Sequence, residues 1–195
     1  MNLSKHLNIV IPVKGIQTGK SRLSAALNLN ERIALNKHLI EHTLSQATNF
    51  NNAAEVYVVS PDQDVQNLVV SKGAQFIQQR AIGLNAGLAE AIKFIEPRTT
   101  LFLAVDLPNL SITDIEGFFF MPGIKISPDE EENGTNALLV PKPNTLAFRF
   151  GPNSFQLHLT EALKSGIETA TVKTPGLQFD LDTSTDLARV KDWKK

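Results

Sequence analysis

The sequence predicts an α/β protein in which a mostly parallel sheet lies between layers of helices. Four apolar runs of strand length alternate with segments of helical periodicity. The first run, Leu7–Val13, is apolar over nearly its whole length, which is typical of a strand that is covered on both faces. Because strands that alternate with helices form parallel βαβ units, we expect one doubly wound sheet.

The regular part of this alternation occupies the first 120 residues. Strands are expected at Leu7–Val13, Glu55–Ser60, Ala74–Gln78 and Thr100–Val105. Helices are expected at Asn30–Ala47, Pro61–Lys72, Asn85–Ile95 and Ser111–Phe120, the last of them capped by Ser111. Ligands of such sheets bind at the carboxyl ends of the strands, so the residues that follow each strand are the candidate site.

The remainder of the chain is less regular. An acidic loop, "SPDEEENGTN", is followed by predicted strands at Ala137–Val140 and Leu146–Phe150. We then expect a helix after Gly151-Pro152, a strand at Leu177–Thr183 and a terminal helix at Asp186–Trp193. Neither a repeat nor a linker divides the sequence, so we predict a single domain over residues 1–195.

The composition narrows the class of protein. A net charge of −1 argues against a protein that coats nucleic acid or an anionic membrane. The absence of cysteine excludes disulfides and thiolate metal sites, and it fits a cytoplasmic location. No apolar run has the length of a membrane span, so we expect small-molecule partners and neither a nucleic acid nor a membrane.

The segment "NIVIPVKGIQTGKSRL" is close to a phosphate-binding P-loop. A P-loop has the form G-x-x-x-x-G-K-[ST], but only three residues separate Gly15 from Gly19 here. The runner-up hypothesis is therefore a small P-loop-like kinase. The preferred hypothesis is an open loop in which Lys14, Lys20 and Arg22 bind the phosphates of a nucleotide.

Three aspartates suggest a metal site. Asp106 follows an apolar strand, and Asp180 and Asp182 are spaced so that both would lie on one face of a strand. Converging carboxylates favour a hard divalent ion, of which Mg²⁺ fits best. The alternative is that Asp182 caps the last helix and that Asp180 is merely exposed.

Two further segments are candidates for substrate binding. "GLNAGL" opens a helix, and its Gly83 and Asn85 are candidates for contacts with guanine and ribose. A helix start near Ser154 would offer free amides to an acidic ligand, and Thr135-Asn136 could donate to a carboxylate or phosphate. Ordinary helix caps and turn chemistry are the alternatives for these segments. "HLIEH" matches a zinc-peptidase pattern, which we interpret as the flank of an amphipathic helix.

Six segments in this order resemble the 2-phospho-L-lactate guanylyltransferase family of coenzyme F-420 biosynthesis. They are "IPVKGIQTGKSRL", "GLNAGLAEA", "VDLPNL", "GTNALLV", "FRFGPNSFQLHLTEA" and "LQFDLDTSTDL", which together span about Ile9 to Leu187. The resemblance implies a Rossmann-like three-layer α/β/α sandwich of the nucleotidyltransferase type, similar to GT-A and molybdopterin guanylyltransferase folds. Another nucleotidyltransferase of the sugar-phosphate or molybdopterin type is a further alternative.

The resemblance also implies an activity. Family members transfer GMP from GTP to 2-phospho-L-lactate, phosphoenolpyruvate or 3-phospho-D-glycerate and release pyrophosphate. It implies one or two Mg²⁺ ions and a homodimer. It assigns catalysis to Lys14 and Asp106, and metal binding to Asp106, Asp180 and Asp182. Thr135, Gly151 and Ser154 match the acceptor-binding positions, and we add the neighbouring Asn136. The loop after Lys14 differs from the Pro- and Ala-containing loop that is more usual in the family.

Overall fold

The computed structural model describes residues 7–50, 54–119 and 122–190. Its strands are β1 (Leu7–Pro12), β2 (Ala54–Ser60), β3 (Gln75–Gln78), β4 (Thr99–Leu103), β5 (Ile124–Pro128), β6 (Thr135–Val140) and β7 (Thr169–Thr171). Its helices are α1 (Leu29–Phe50), α2 (Val65–Ser71), α3 (Leu84–Ala91), α4 (Ile112–Gly117), α5 (Ser154–Ser165), α6 (Pro175–Gln178) and α7 (Ser184–Arg189). A 3-10 helix at Ser21–Leu23 precedes α1.

The strands form one seven-stranded sheet in the order β3-β2-β1-β4-β6-β5-β7. The pairs β1–β2, β1–β4, β2–β3 and β5–β7 are parallel, whereas β6 runs antiparallel to both β4 and β5. The chain winds from β1 towards β3 on one side and returns to β4 on the other. The boundary between β1 and β4 is therefore the switch point of the sheet, where ligands of such folds bind.

Apolar side chains on both faces of the sheet hold the helices in place. In β1, Ile9 and Ile11 pack into one core cluster with α1, α2 and α4, whereas Val10 packs into the other cluster with α3 and α5. This alternation explains why β1 is apolar from Ile9 to Ile11. The layers are thus helices, sheet and helices, as the sequence predicted. None of the helices in the described parts of the chain is long and apolar enough to cross a membrane.

The alternation up to β4 and α4 is confirmed, with ends shifted by a few residues. Ser111 caps α4 as predicted, because its side chain accepts the N–H of Asp114. The predicted terminal helix begins two residues earlier, at Ser184, and its expected end at 191–193 lies outside the described residues.

Several predictions for the second half are wrong. The predicted strands Leu146–Phe150 and Leu177–Thr183 do not form, and α6 includes the first two residues of the second segment. Two strands of the structure, β5 and β7, were not predicted from the sequence. In β5, Lys125, Ser127 and Pro128 interrupt the apolar pattern, although all of its residues are buried. With only three residues, β7 is too short to show any periodicity.

Candidate active site

A cavity of about 410 Å³ opens at the carboxyl ends of β1 and β4, at the switch point of the sheet. Basic, acidic and hydroxyl side chains share its wall, which includes Lys14, Lys20, Asp106, Thr135 and Asp182. Phe150 and Leu84 add apolar surface. A concave site that combines an apolar wall with a few converging charged groups is the usual setting for a small-molecule substrate.

The loop after β1 is held in place by side chains from two other elements. Asn36 of α1 donates from Nδ2 to the carbonyl oxygens of Gly15 and Ile16, at 2.6 and 2.9 Å. The Asp62 carboxylate accepts the N–H of Ile16 at 2.8 Å. A Cβ on Gly19 would lie only 2.2 Å from Asn36 Nδ2, so glycine is what allows this close approach. The loop therefore presents its lysines from a fixed backbone.

This geometry is not that of a P-loop. In a P-loop the glycine-rich segment leads directly into a helix whose amides surround the phosphate. Here a three-residue 3-10 helix follows, and α1 begins only at Leu29. Lys20 has a left-handed backbone with φ of 57°. The P-loop hypothesis is therefore wrong for this chain.

The three predicted metal-binding aspartates come together in space. One carboxylate oxygen of each of Asp106, Asp180 and Asp182 lies within 4.8 Å of the others. Asp106 follows β4, whereas the other two lie on the irregular segment between α6 and α7. The N–H of Leu181 donates to the Asp106 carbonyl at 2.9 Å, which fixes this segment beside the end of β4. The convergence was predicted, but the strand that was to produce it is absent.

The alternative reading of Asp182 as a helix cap is also wrong. Thr183 caps α7, since its side chain accepts the N–H of Asp186 in a capping box. The zinc pattern is likewise unsupported, because His42 bonds to the Leu110 carbonyl at 2.9 Å. Within the described ranges, the aspartate triad is the one group of three His, Cys, Asp or Glu side chains close enough to share an ion.

Asn136 holds the metal-site segment in position. Its Nδ2 donates to the carbonyl oxygens of Leu177 at 2.9 Å and Gln178 at 3.3 Å, and it lies 3.5 Å from Asp180 Oδ1. The side chain is buried and is not part of the cavity wall. The structure therefore places Asn136 behind the aspartates, and its predicted contact with the acceptor stays a prediction.

Lys20 lies between two of the aspartates. Its Nζ is 2.8 Å from Asp106 Oδ2 and 3.1 Å from Asp182 Oδ1, and its side chain is only 6% exposed. Burial by itself would lower the pKa of Lys20, but the attraction of Asp106 and Asp182 outweighs it and the pKa is raised. Burial would raise the pKa of Asp106, but the Lys20 charge outweighs it and the pKa is lowered. Arg22 also reaches Asp182, at 3.3 Å, from a side chain that is 75% exposed.

Within the described residues, no cationic side chain forms an ion pair with Asp180. Burial, and then repulsion by Asp106 and Asp182, raise the pKa of Asp180 to about 6. Ionisation of this carboxyl group is unfavourable beside two other carboxylates, and a bound divalent cation would offset the repulsion among the three. All three donors are oxygens, which are the ligands that Mg²⁺ prefers. The triad thus fits Mg²⁺.

The predicted nucleotide-binding residues are distributed around the cavity. Lys14 is exposed and lies on the wall, as does Gly83, whose φ of 93° suits glycine. Asn85 is engaged elsewhere. It accepts the N–H of Phe150 at 2.8 Å and donates to the carbonyl of Phe150 at 2.9 Å. Both ends of its amide are therefore used to hold Phe150, which lines the cavity.

The predicted acceptor-binding residues lie near one another, but with different exposure. Thr135 lines the cavity, whereas Gly151 and Ser154 do not. Three amides at the start of α5 are already bonded within the chain. The N–H groups of Asn153 and Phe155 donate to Asn133, and that of Ser154 donates to Gly151. The free amides that the sequence analysis expected at this helix start are therefore occupied at these three positions, and Ser154 begins the helix instead of capping it.

His158 was missed by the sequence analysis, although it touches the candidate site. It is fully buried on the apolar face of α5, together with Phe155 and Ala162. Its Nδ1 is 2.9 Å from Thr135 Oγ1, and its Nε2 is 3.0 Å from the backbone nitrogen of Arg149. The signal was available, because a histidine at a core position of an amphipathic helix must find polar partners for its ring.

Comparison with known proteins gives a family for this arrangement. Residues 7–191 match the family model described as "Guanylyl transferase CofC like". A phosphoenolpyruvate guanylyltransferase of Rubrobacter xylanophilus is 37% identical over 189 residues, which cover 93% of this chain and 92% of the relative. A 3-phospho-D-glycerate guanylyltransferase of Colwellia psychrerythraea is 28% identical and is matched over 92% of this chain and 89% of the relative.

Solved structures support the fold class. A Desulfovibrio desulfuricans G20 protein described as a nucleotide-diphospho-sugar transferase superposes with a TM-score of 0.75 at 16% identity, over 93% of this chain and 84% of the other. A CMP:2-keto-3-deoxy-manno-octonic acid synthetase solved with CTP gives a TM-score of 0.61 at 16% identity, over 94% and 96% of the two chains. At such low identity these matches show a shared α/β fold, in agreement with the predicted nucleotidyltransferase type.

Proposed function

This chain belongs to the family of CofC-like guanylyl transferases, and from that premise we propose that it transfers GMP from GTP to a small phosphorylated carboxylic acid. The observation that carries the proposal is a cluster of three carboxylates, two of which share the wall of one cavity with two lysines. Phosphoryl transfer depends mainly on positioning and on neutralising charge, and these are the groups that supply both.

Asp106, Asp180 and Asp182 would hold Mg²⁺. When bound, the ion supplies positive charge to the phosphate oxygens on which negative charge develops. Asn136 and the Leu181 amide keep the aspartates together, so the chain offers this set of ligands from a fixed backbone. These contacts orient the ligands from behind, which is how metal sites commonly gain affinity.

Lys14, Lys20 and Arg22 provide the charge for the triphosphate. Lys14 lies exposed on the cavity wall, and the exposed Arg22 contacts Asp182, which also lines the cavity. Lys20 is paired with Asp106 and Asp182, so it remains next to any phosphate that the aspartates bind through an ion. Gly83 lets the backbone approach the nucleoside, while Asn85 acts by holding Phe150 on the wall.

The acceptor supplies its own nucleophile. A phosphate oxygen attacks the α-phosphorus of GTP, a new P–O bond forms, the bond to the oxygen of the leaving pyrophosphate breaks, and the product is a diphosphate-linked guanosine conjugate. Because a phosphate monoester is ionised at neutral pH, no general base is needed. Thr135 is the side chain that we assign to hold the acceptor. Gly151 and Ser154 lie on a segment whose Asn153 and Phe155 amides donate to Asn133.

We propose phosphoenolpyruvate as the first acceptor to test, because the relative with 37% identity carries that name. 3-Phospho-D-glycerate and 2-phospho-L-lactate are the other two. A homodimer, a cytoplasmic location and a role in coenzyme F-420 biosynthesis stay predictions from the family resemblance.

The experiment is a pyrophosphate assay with GTP, Mg²⁺ and each of the three acceptors. We expect pyrophosphate with at least one acceptor, and loss of turnover in Asp106→Asn. Asp64→Asn is the matched control, because Asp64 is exposed and makes no capping hydrogen bond with its side chain. Full activity in Asp106→Asn would contradict the assignment of the triad. Release of GDP without pyrophosphate would indicate a kinase, and GTP binding without any product would indicate a binding module.

A further inference from the structure

A buried hydrogen-bonded chain ends at the hydroxyl of Thr135, on the cavity wall. It runs from the backbone of Arg149 through the ring of His158 to Thr135 Oγ1. We propose that His158 is a positioning residue that turns the hydroxyl proton of Thr135 towards the acceptor substrate. This inference rests on the proposed function, because it takes Thr135 to be an acceptor-binding residue.

The direction of each hydrogen bond follows from which groups can donate. The backbone N–H of Arg149 can only donate, so His158 Nε2, at 3.0 Å, must accept and carries no hydrogen. A neutral imidazole has one hydrogen, which must then lie on Nδ1. Nδ1–H therefore donates to Thr135 Oγ1 at 2.9 Å.

The doubly protonated ring does not fit this site. It would point an Nε2–H at the Arg149 N–H, so that two donors would face each other. Burial also disfavours the charged ring, and it lowers the pKa of His158 to about 4. The neutral Nδ1–H form is thus the state that the surrounding donors select at neutral pH.

The consequence falls on Thr135. Its oxygen already receives a hydrogen bond from the ring, so its own proton is not used by His158. Thr135 is 8% exposed and lines the cavity, where that proton can be donated. A hydroxyl held in this way acts as a fixed donor, and its natural partner is an anionic oxygen of the acceptor, on either its phosphate or its carboxylate.

The ring itself is well supported. Phe150 packs edge-on against His158, with ring centroids 4.7 Å apart and an interplanar angle of 69°. Asn85 holds the Phe150 backbone by two hydrogen bonds, which also fixes the adjacent Arg149 amide. Asn85 of α3 therefore helps to orient the His158 ring, because it fixes the backbone that carries the Arg149 amide.

Kinetics provides the first test. A hydrogen bond to a charged group contributes roughly 1.5–3 kcal/mol, which corresponds to about a 10- to 100-fold change. Thr135→Val should raise the KM for the acceptor by about that factor and leave the KM for GTP unchanged, whereas Thr135→Ser should stay close to wild type. His158→Phe should have the same effect as Thr135→Val, and the double variant should be no worse than the more impaired single variant.

The controls separate positioning from folding. His158→Asn places an amide nitrogen where Nδ1 lies, so it should recover much of the acceptor affinity that His158→Phe loses. Thermal unfolding of every variant identifies any that fail to fold. A normal acceptor KM in folded His158→Phe, or effects of the two substitutions that simply multiply, would overturn the inference.

NMR of the histidine ring nitrogens gives a readout that needs no substrate. The wild-type protein should show His158 as the Nδ1–H tautomer throughout the neutral range. An Nε2–H tautomer would overturn the inference whatever the activity. If the Nδ1–H tautomer is found but no acceptor yields pyrophosphate, the proposed function fails and the direction of the hydrogen bonds still stands.

Discussion

Replacing Lys20 with methionine should destabilise the metal-free protein far more than replacing the neighbouring Arg22. Methionine keeps the length of the lysine side chain and removes its charge. The change leaves Asp106, Asp180 and Asp182 facing one another without their nearest cation, since Lys20 Nζ lies 2.8 Å from Asp106 and 3.1 Å from Asp182. Arg22→Met removes a pair that is mostly in solvent.

The magnitude follows from the exposure of each pair. Removal of one partner of a buried ion pair costs about 3–5 kcal/mol. Lys20 is 6% exposed, but Asp106 and Asp182 are 25% and 40% exposed, so water relieves part of the cost. We expect a loss of about 2–3 kcal/mol, which for a domain of this size is a fall in Tm of roughly 4–12 °C. The exposed Arg22 pair contributes roughly 0.5 kcal/mol, or about 1–2 °C.

The difference in stability between wild type and Lys20→Met should depend on pH. Lys20 lowers the pKa of Asp106, so the stabilisation is present above the pKa of an unfolded aspartate and is lost as the pH falls through the lower folded value. The pKa of Lys20 is raised, so its contribution is lost only at strongly alkaline pH. The two proteins should therefore differ from about pH 5 to about pH 10, given unfolded values of roughly 3.9 and 10.4.

Thermal unfolding with and without Mg²⁺ is the assay. In the wild-type protein an added ion competes with the Lys20 ammonium for the same carboxylates. In Lys20→Met that competitor is gone, so a given Mg²⁺ concentration should raise the Tm by more than in wild type. Equal falls in Tm for Lys20→Met and Arg22→Met would refute the reasoning, as would an equal response of wild type and Lys20→Met to the ion.

Three further predictions concern the same site. The affinity for Mg²⁺, measured by calorimetry, should weaken as the pH falls through about 6, because Asp180 must be ionised to bind the ion. A constant affinity between pH 7.5 and pH 5 would contradict that pKa. Asn136→Leu should weaken Mg²⁺ binding by about tenfold or more, because it removes the hydrogen bonds that fix the segment carrying Asp180. An unchanged dissociation constant would show that this segment keeps its conformation without Asn136. Gly19→Ala should lower the free energy of unfolding, measured by chemical denaturation, by about 1–3 kcal/mol, because its Cβ would lie 2.2 Å from the Asn36 amide. An unchanged free energy of unfolding would mean that the loop moves to accommodate the methyl group.

Local signals in the sequence were enough to predict the first four strands. The strands β1, β2 and β4 are largely buried and mainly apolar, and each of the four is followed by a segment of helical periodicity. The same logic placed Lys14 and Asp106 at one edge of the sheet. By contrast, β5 carries a buried lysine and a serine, because the chain covers them by contacts that no local pattern reveals.

In the candidate active site, too, the sequence predicted which residues take part but not the contacts that bring them together. A resemblance of ordered motifs indicated Asp180 and Asp182, but their approach to Asp106 was attributed to a strand that does not form. What brings them there is a backbone hydrogen bond from Leu181 and the side chain of Asn136, which lies more than 40 residues earlier in the chain.

By itself, the sequence determined the alternating α/β architecture, the basic loop after the first strand and the identity of the three carboxylates, because these depend on residue type and on spacing along the chain. Only the tertiary structure decided that β6 runs antiparallel between β4 and β5, that Lys20 pairs with the aspartates, and that His158 and Asn85 act from behind the wall. Those features depend on contacts between residues far apart in the chain, and such contacts are set when the layers pack together.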